Sequence, residues 1–291
     1  MYKILTKKNI APETFYMEIE APKVAKSAKP GHFIMVKADE QAERIPLTVC
    51  DVDTKKGSVT IIFKAVGAST ELLAGFDEGD SYLDFAGPLG NETELLSEDL
   101  EDLKTKKIMF IAGGIGAAPV HPQIKWLYEN GIKPDVILGA RSKDNLILLS
   151  EIEKMADNFY TVTDDGSYGR KALVTEVLED LIVKEKKHYD LVITIGPLLM
   201  MKFVCLVTKK HDVKTIVSLN TLMVCGMGMC GACRATINNE TKFTCVDGPE
   251  FDGHQVDFDE ILNRQSIYKD EEKEKLYQFA HSEQEFKNRR K

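Results

Sequence analysis

The sequence predicts a β plus α/β chain: a small antiparallel β-barrel, then a doubly wound parallel sheet, then a compact cysteine-bearing module. Three observations carry this. Short alternating or apolar runs broken at Pro, Gly and Asp fill residues 1–100, and beyond them strand-length apolar runs alternate with helical stretches. Four of the six cysteines then fall in one glycine-rich segment, Val224–Cys245. A length of 291 residues exceeds one ordinary core and agrees with two domains plus a module.

In the barrel, Tyr2–Ile10, Thr14–Ala21, His32–Lys37, Arg44–Val52, Ser58–Val66 and Ser81–Phe85 are the strand candidates. Pro30-Gly31 and Glu78-Gly79-Asp80 are turn signals between them, and short strands with close turns fit a small barrel. The charged segment Glu101–Lys107 marks a boundary. Residues 101–217 then alternate. Strands are expected at Lys107–Ala112, Asp135–Leu138, Tyr160–Thr163, Leu191–Ile195 and Lys214–Val217. Helices are expected at Pro119–Glu129, Leu146–Met155, Ala172–Lys184 and Leu198–Lys209. That alternation implies a parallel sheet. Residues 218–250 form the cysteine module, and 251–291 read as a helical arm ending basic at Lys287–Lys291.

Composition narrows the function classes. With 43% hydrophobic and 29% charged residues the chain reads as soluble and globular. No apolar run approaches the roughly 20 residues of a membrane span. A formal net charge of −8 argues against a nucleic-acid footprint. Cys50 and Cys205 lie in apolar runs and read as core residues; free cysteines fit a reducing cytoplasm.

Cys225, Cys230, Cys233 and Cys245 are spaced C-x4-C-x2-C-x11-C, with Gly226, Gly228 and Gly231 between the first three. A [2Fe–2S] cluster needs ligands converging from a loop that wraps it, and glycine lets such a loop take positive φ and aim bare amides at sulfur. The first three spacings are those of plant-type ferredoxins, although the fourth cysteine returns sooner. Zinc is the alternative, but zinc ribbons favour paired C-x2-C knuckles and only Cys230/Cys233 has that spacing. Disulfides would suit a secreted chain, and no signal-peptide pattern opens this one.

Two further groups of residues point to nucleotides. Gly113, Gly114 and Gly116 sit between an expected strand and helix, where backbone amides and a helix start can meet a pyrophosphate. Read from Gly114 the run is G-x-G-x-x-P, lacking the third glycine of the dinucleotide fingerprint, so a tight structural turn is the alternative. Arg141, the Asp165 loop (Asp164-Asp165-Gly166-Ser167) and Gly196-Pro197 follow the next strands on the same carboxyl edge. In the barrel, Arg44-Ile-Pro46-Leu47-Thr48 offers a guanidinium and a hydroxyl on or entering a strand, and arginine's planar fork suits a diphosphate. Gly67-Ala-Ser69-Thr70 would open a helix at Glu71 with free amides. An exposed ion pair and an ordinary N-cap are the plain alternatives for these two.

Taken in order, R-x-P-L-T, G-x-S-T, G-P-L-G (Gly87–Gly90), G-G-I-G-A-A-P, T-D-D-G-S, G-P-L-L-M-M-K and the cysteine spacing resemble the ferredoxin-reductase-like electron-transfer family. The resemblance covers essentially the whole chain, and that family includes the electron-transfer subunit of class B dihydroorotate dehydrogenase. Ser218–Asn220, Gly228–Arg234 and Cys245–Gly253 are closer to another branch. They resemble the small (alpha) subunit of NADH-dependent ferredoxin:NADP oxidoreductase, also called the sulfide dehydrogenase small subunit, which partners a larger flavoprotein in electron bifurcation. The resemblance implies that Arg44, Pro46, Leu47 and Thr48 line FAD, with Gly67, Ser69 and Thr70 near its pyrophosphate. It implies that Gly113, Gly114, Gly116 and the Asp165 loop receive NAD(H), and that the four cysteines hold a [2Fe–2S] cluster. Many members of the bifurcating branch carry aspartate where this chain has Cys225, whereas the dihydroorotate branch has four cysteines.

The implied function is an electron conduit without a catalytic acid or base. NADH, FAD and the cluster would feed a larger flavoprotein/iron–sulfur partner, with ferredoxin and NADP reached through the complex. A dihydroorotate dehydrogenase subunit, a self-sufficient reductase and a zinc-stapled interaction protein are the competing readings. Arg141 could favour a 2′-phosphate, leaving NADH and NADPH both open.

Overall fold

Eight short strands build the barrel in a computed structural model that describes residues 1–281. They are β1 (Tyr2–Ala11), β2 (Thr14–Glu20), β3 (Phe33–Lys37), β4 (Ile45–Thr48), β5 (Asp51–Asp53), β6 (Ser58–Lys64), β7 (Ser81–Tyr82) and β8 (Asp84–Leu89). All pair antiparallel, in the orders β5-β6-β2-β1-β7 and β4-β3-β8. Met17, Ile19, Ile34, Val36, Val59, Ile61 and Phe63 share the core between the two sheets.

Two expected strands split. Arg44–Val52 becomes β4 on β3 and β5 on β6, with a corner at buried Val49 and Cys50. There Val49 N donates to His32 O at 3.1 Å and Cys50 N to Thr60 O at 2.9 Å, so successive residues bond to different sheets. Ser81–Phe85 likewise divides at Leu83 into β7 and β8. Strands that switch sheets make the corners of packed β architectures, and their apolar pattern runs through the bend. A helix not anticipated, α1 (Pro22–Ser27), starts with Pro in its first turn, where the missing N–H costs nothing. The next, α2 (Ala68–Ala74), begins at Ala68 rather than Glu71.

The second sheet uses β9 (Ile108–Gly113), β10 (Asp135–Ala140), β11 (Phe159–Thr163), β12 (Arg170–Lys171), β13 (Leu191–Ile195) and β14 (Lys214–Ser218). Around it lie α3 (Leu100–Thr105), α4 (Ala117–Glu129), α5 (Leu149–Met155), α6 (Val174–Val183) and α7 (Leu198–Lys210). The cysteine module contributes a hairpin of β15 (Arg234–Ile237) and β16 (Glu240–Phe243), then α8 (Thr244–Asp247). A last strand, β17 (Glu250–Asp252), pairs antiparallel with β14, so the chain after the cysteines begins as sheet rather than as a helical arm. A three-residue strand with one apolar side chain carries too little pattern to be read from sequence.

The sheet order is β12-β11-β10-β9-β13-β14-β17, with β9 to β14 and β12 all parallel. The chain winds one way from β9 to β12, then crosses back to β13 and winds the other way. The carboxyl ends of β9 and β13 are therefore the topological switch point where such sheets take ligands.

Two helices follow β17. Phe258 and Ile261 of α9 (Phe258–Gln265) are buried with Met201, Cys205 and Val217. The other, α10 (Lys269–His281), packs on α2, with Lys275 paired to Glu43 and Phe279 against the barrel core. The basic ending Lys287–Lys291 lies outside the described residues. Among the described residues no helix is long and apolar enough to cross a membrane. Cys50 and Cys205 are buried and unpaired; burial pushes both thiols up, that of Cys205 to about 12, as expected of core residues.

Candidate flavin, nucleotide and cluster sites

The cysteine loop shows how glycine serves sulfur. Gly226, Gly228 and Gly231 have φ of +71°, +76° and +67°. The turns they allow aim amides at thiols: Met227 N to Cys225 Sγ at 3.4 Å, Gly228 N to Cys245 Sγ at 3.1 Å and Ala232 N to Cys230 Sγ at 3.5 Å. The bond from Met227 holds the Cys225 thiol down at about 7, while burial pushes Cys245 up to about 12. The sulfurs come as two pairs. Cys233 and Cys245 are buried with Sγ atoms 3.2 Å apart, and Cys225 and Cys230 interact with each other at the surface. Among the described residues no three His, Cys, Asp or Glu side chains converge on one metal ion. Two pairs of thiols match the ligand count of a [2Fe–2S] cluster, two for each iron.

The buried pair faces the barrel. Cys233 and Cys245 pack with Phe33, Met35 and Met223, flanked by Ala86, Leu89 and Phe243. Gly226 is pressed so close that a Cβ there would lie 2.7 Å from Met35 Cγ and 3.2 Å from Leu89 Cδ1. On β3, Met35 stands opposite Pro46 of β4 on one side and Ala86 of β8 on the other. The Arg44–Thr48 segment is thus one strand spacing, about 4.8 Å, from the strand that supports the cysteine loop. Sequence reasoning missed Met35, since nothing in a single apolar strand residue announces what will dock on it.

Pro46, Leu47 and Thr48 are half-buried on β4, and Arg44 precedes it. Arg44 Nε and Nη2 both donate to Asp84 Oδ2, at 3.0 and 2.8 Å, so its guanidinium is held in an ion pair at the head of the sheet. Gly67 caps α2, and a Cβ there would meet nothing within 4 Å. Thr70 Oγ1 accepts from Val66 N and Gly67 N at 2.9 and 3.0 Å and donates to Gly67 O at 2.9 Å, which commits it to the cap. Ser69 Oγ lies 3.5 Å from Glu43 Oε2, which brings the start of α2 beside the residue preceding Arg44. The space left open at Gly67, beside a β4 whose side chains are only half-buried, is compatible with a flavin nucleotide lying on this face.

At the switch point the four glycines divide their work. A Cβ on Gly113 would meet Met200 Sδ at 2.5 Å, one on Gly196 would meet Met200 Cε at 2.7 Å, and one on Gly116 would lie 2.1 Å from Ile195 O. These three let β9, β13 and α7 close up. Gly114 differs: its φ is +55° and a Cβ would meet nothing within 4 Å. It is the glycine whose bare backbone faces open space, as close approach of a pyrophosphate requires. Arg141 O accepts from Asp165 N at 3.2 Å, and the Asp165 carboxylate accepts from Ser167 Oγ and N at 2.6 and 2.9 Å, which hold it below the usual range. Ser167 Oγ in turn accepts from Lys143 N at 2.8 Å, knitting the loops after β10 and β11 along the carboxyl edge. A cavity of about 340 Å³ opens at the amino edge near Lys107, Lys133, Asp135 and Tyr189, and Gly114, Arg141 and Asp165 do not line it. Strand polarity favours the carboxyl edge over cavity size.

Residues 220–257 match the iron–sulfur cluster binding domain of dihydroorotate dehydrogenase B, and residues 110–206 match the oxidoreductase NAD-binding domain. The chain is 42% identical over 271 residues to the dihydroorotate dehydrogenase B (NAD(+)) electron transfer subunit homolog of Thermotoga maritima, covering 93% of each chain. The chain belongs to the dihydroorotate dehydrogenase B electron-transfer subunit family. A Clostridium beijerinckii relative, from an adh 3' region, is 56% identical over 272 residues, covering 94% of this chain and 92% of its own. A solved structure of NADH-dependent reduced ferredoxin–NADP oxidoreductase, described for flavin-based electron bifurcation, superposes with a TM-score of 0.88 at 39% identity. That match covers 96% of this chain and 98% of the other.

Membership makes this electron-transfer subunit an oxidoreductase component of the flavin, NAD and iron–sulfur kind, with the ferredoxin-reductase-like fold. Exposed Val224, Met227, Met229 and Val246 surround the outward cysteines, Met229 at 82% exposure. They leave an exposed apolar rim beside Cys225 and Cys230. These residues were not singled out from the sequence.

Proposed function

We propose that this subunit carries electrons between NAD(H), FAD and a [2Fe–2S] cluster and on to a larger flavoprotein/iron–sulfur partner in the cytoplasm. The assembly is an NADH-dependent ferredoxin:NADP oxidoreductase that bifurcates electrons, with ferredoxin and NADP met by the complex as a whole. The observation that carries this is the seat of the cysteine loop on Met35, one strand from β4.

In this reading Gly114, with Arg141 and Asp165 beside it, receives the nicotinamide nucleotide at the switch point, and Gly113, Gly116 and Gly196 keep that edge tightly packed. Pro46, Leu47 and Thr48 present β4 to the flavin, with Gly67 and Ser69 leaving space for its diphosphate. Arg44 holds Asp84 until a phosphate competes for its fork, and Thr70 keeps the α2 cap rigid. Cys233 and Cys245 hold the barrel side of the cluster; Cys225 and Cys230 hold the exit side, inside the apolar rim. When bound, the flavin converts a hydride into single electrons and the cluster passes them on. The protein's part is to fix distances and surroundings. Residues 1–100, 101–217 and 218–250 act as the flavin, nucleotide and cluster units, with the remainder from 251 tying them together.

Cys225 favours the second reading, an electron-transfer subunit feeding a dihydroorotate dehydrogenase, since it completes the four-cysteine set of that branch. Capture of the native complex, with identification of the large subunit by mass spectrometry, separates the two. A flavoprotein able to reduce ferredoxin supports bifurcation; a dihydroorotate-oxidising subunit replaces it.

A further inference from the structure

Where the barrel, the parallel sheet and the cysteine module meet, one carboxyl group is enclosed. Thr93 follows β8, Gln123 lies on α4, and Glu250 opens β17. Thr93 and Gln123 are buried, at 0% and 1% exposure. Gln123 Nε2 donates to Glu250 Oε1 at 2.5 Å, and Thr93 Oγ1 donates to Gln123 Oε1 at 3.4 Å. Glu250 as a residue is half-buried, yet its Oε2 is closed off from solvent and has no hydrogen-bond partner.

The surroundings offer no counter-charge. Glu94, on the barrel side, is itself a carboxylate and is paired with Lys214 of β14. On α4, Lys125 is turned to Asp51, and His121 Nδ1 lies 3.2 Å from Cys50 O. The backbone around Glu250 meanwhile joins all three parts. Asn91 N donates to Gly248 O at 2.7 Å, Leu219 N to Pro249 O at 2.9 Å, and Ser218 pairs with Glu250 across β14 and β17. An ionised carboxylate here would enclose a charge with only neutral donors around it, the Gln123 amide, the Thr93 hydroxyl and the Glu94 backbone, whereas the protonated group buries only a hydroxyl.

We propose that Glu250 is a positioning residue that holds the three modules together in its protonated form, and that the seam between them loosens as it ionises. Burial pushes its carboxyl up to about 7, with Glu94 adding to the push and Thr93 and Gln123 opposing it. The enclosed form therefore binds its proton more tightly than an opened one. Closure is fully favoured below the ordinary value of 4.5, weakens as pH climbs toward about 7, and levels off above that. Between pH 6 and pH 8 those two limits give a roughly tenfold rise in the opening constant. The consequence for electron relay rests on the function proposed above; the seam itself does not.

The test is hydrogen–deuterium exchange of the purified holoprotein at pH 6, 7 and 8, corrected for intrinsic exchange, in peptides spanning 90–96, 118–126 and 248–252. The parent should lose protection about tenfold across that range. Glu250→Gln, which keeps the shape and cannot ionise, should show equal protection at all three values. Glu94→Gln, at a paired surface site, should keep the pH dependence. A flat parent profile, a persistent tenfold loss in Glu250→Gln, or its abolition in Glu94→Gln overturns the proposal. Failure of the cofactor reading would appear instead as missing pigment or absent NADH reduction, with exchange unaffected.

Discussion

Replacing Gly114 and Gly116 one at a time by alanine separates ligand approach from packing at the switch point. At Gly116 the new Cβ would sit 2.1 Å from Ile195 O and 2.7 Å from its carbonyl carbon. Both are backbone atoms of the neighbouring strand, so β13 must move by about an ångström to reach an ordinary C···O separation of roughly 3.3 Å. Overpacking of yielding side chains costs about 1–3 kcal/mol, and an unyielding strand places Gly116→Ala at or above about 3 kcal/mol. At roughly 2–4 °C per kcal/mol for a domain of this size, its melting temperature should fall by about 6 °C or more. At Gly114 nothing lies within 4 Å, and the cost is that of an L-residue at φ +55°, about 1 kcal/mol, or roughly 2–4 °C. The added methyl there stands where the pyrophosphate must approach, so the apparent Kd for NADH should rise by about tenfold, equivalent to about 1.4 kcal/mol. Thermal unfolding gives the first pair of numbers, and anaerobic titration of flavin reduction gives the second, with dithionite as the control that both centres remain reducible. Gly114→Ala reduced by NADH with parental affinity would refute the assignment, and Gly116→Ala melting like the parent would refute the packing argument.

Cys230→Ser and Cys233→Ser should each lose iron while retaining FAD, because the barrel core is separate; iron and flavin assays decide it, and full iron in both variants counts against the cluster. Met35→Ala should cost about 2–5 kcal/mol by opening a cavity under the cysteine loop, and should slow flavin-to-cluster transfer in stopped-flow traces. An unchanged melt and rate would show that Met35 does not seat the module. Cys225→Asp should keep iron and flavin but shift the cluster's potential and visible spectrum, since ligand identity sets both. An apo protein, or an unchanged potential and spectrum, would mean that position 225 does not accept either ligand.

The sequence was most legible where chemistry and periodicity coincide. Leu191–Ile195 is a strand with the expected bounds, and the expected alternation after residue 101 is the parallel sheet, because buried strands and amphipathic helices impose different periods. The cysteine spacing carried the cluster, since few other uses need thiols and glycines interleaved in one loop. Contacts set by the tertiary fold were not legible. Gly116 and Gly114 look alike as letters, and only the approach of Ile195 O distinguishes a packing glycine from an open one. The corner at Val49–Cys50 was hidden because an unbroken apolar run can face one core from two sheets. Glu250 gave no signal either; a lone acid before Phe251 reads as surface until Gln123 is found against it.

The antiparallel pairing of β14 with β17 makes the cysteine module an insertion with both ends anchored. Ser218 and Glu250 are cross-strand partners, so everything between them leaves the sheet and returns to the same point. Topologically it is a cassette: a short hairpin turn could join those strands and leave the sheet order intact. Excision would nonetheless strip the cover from Phe33, Met35 and Leu89, converting a barrel wall into an exposed apolar surface. A two-cofactor ancestor or derivative lacking the cassette would therefore need polar substitutions on β3 and β8. Those substitutions, rather than the missing cysteines, would be its most informative trace.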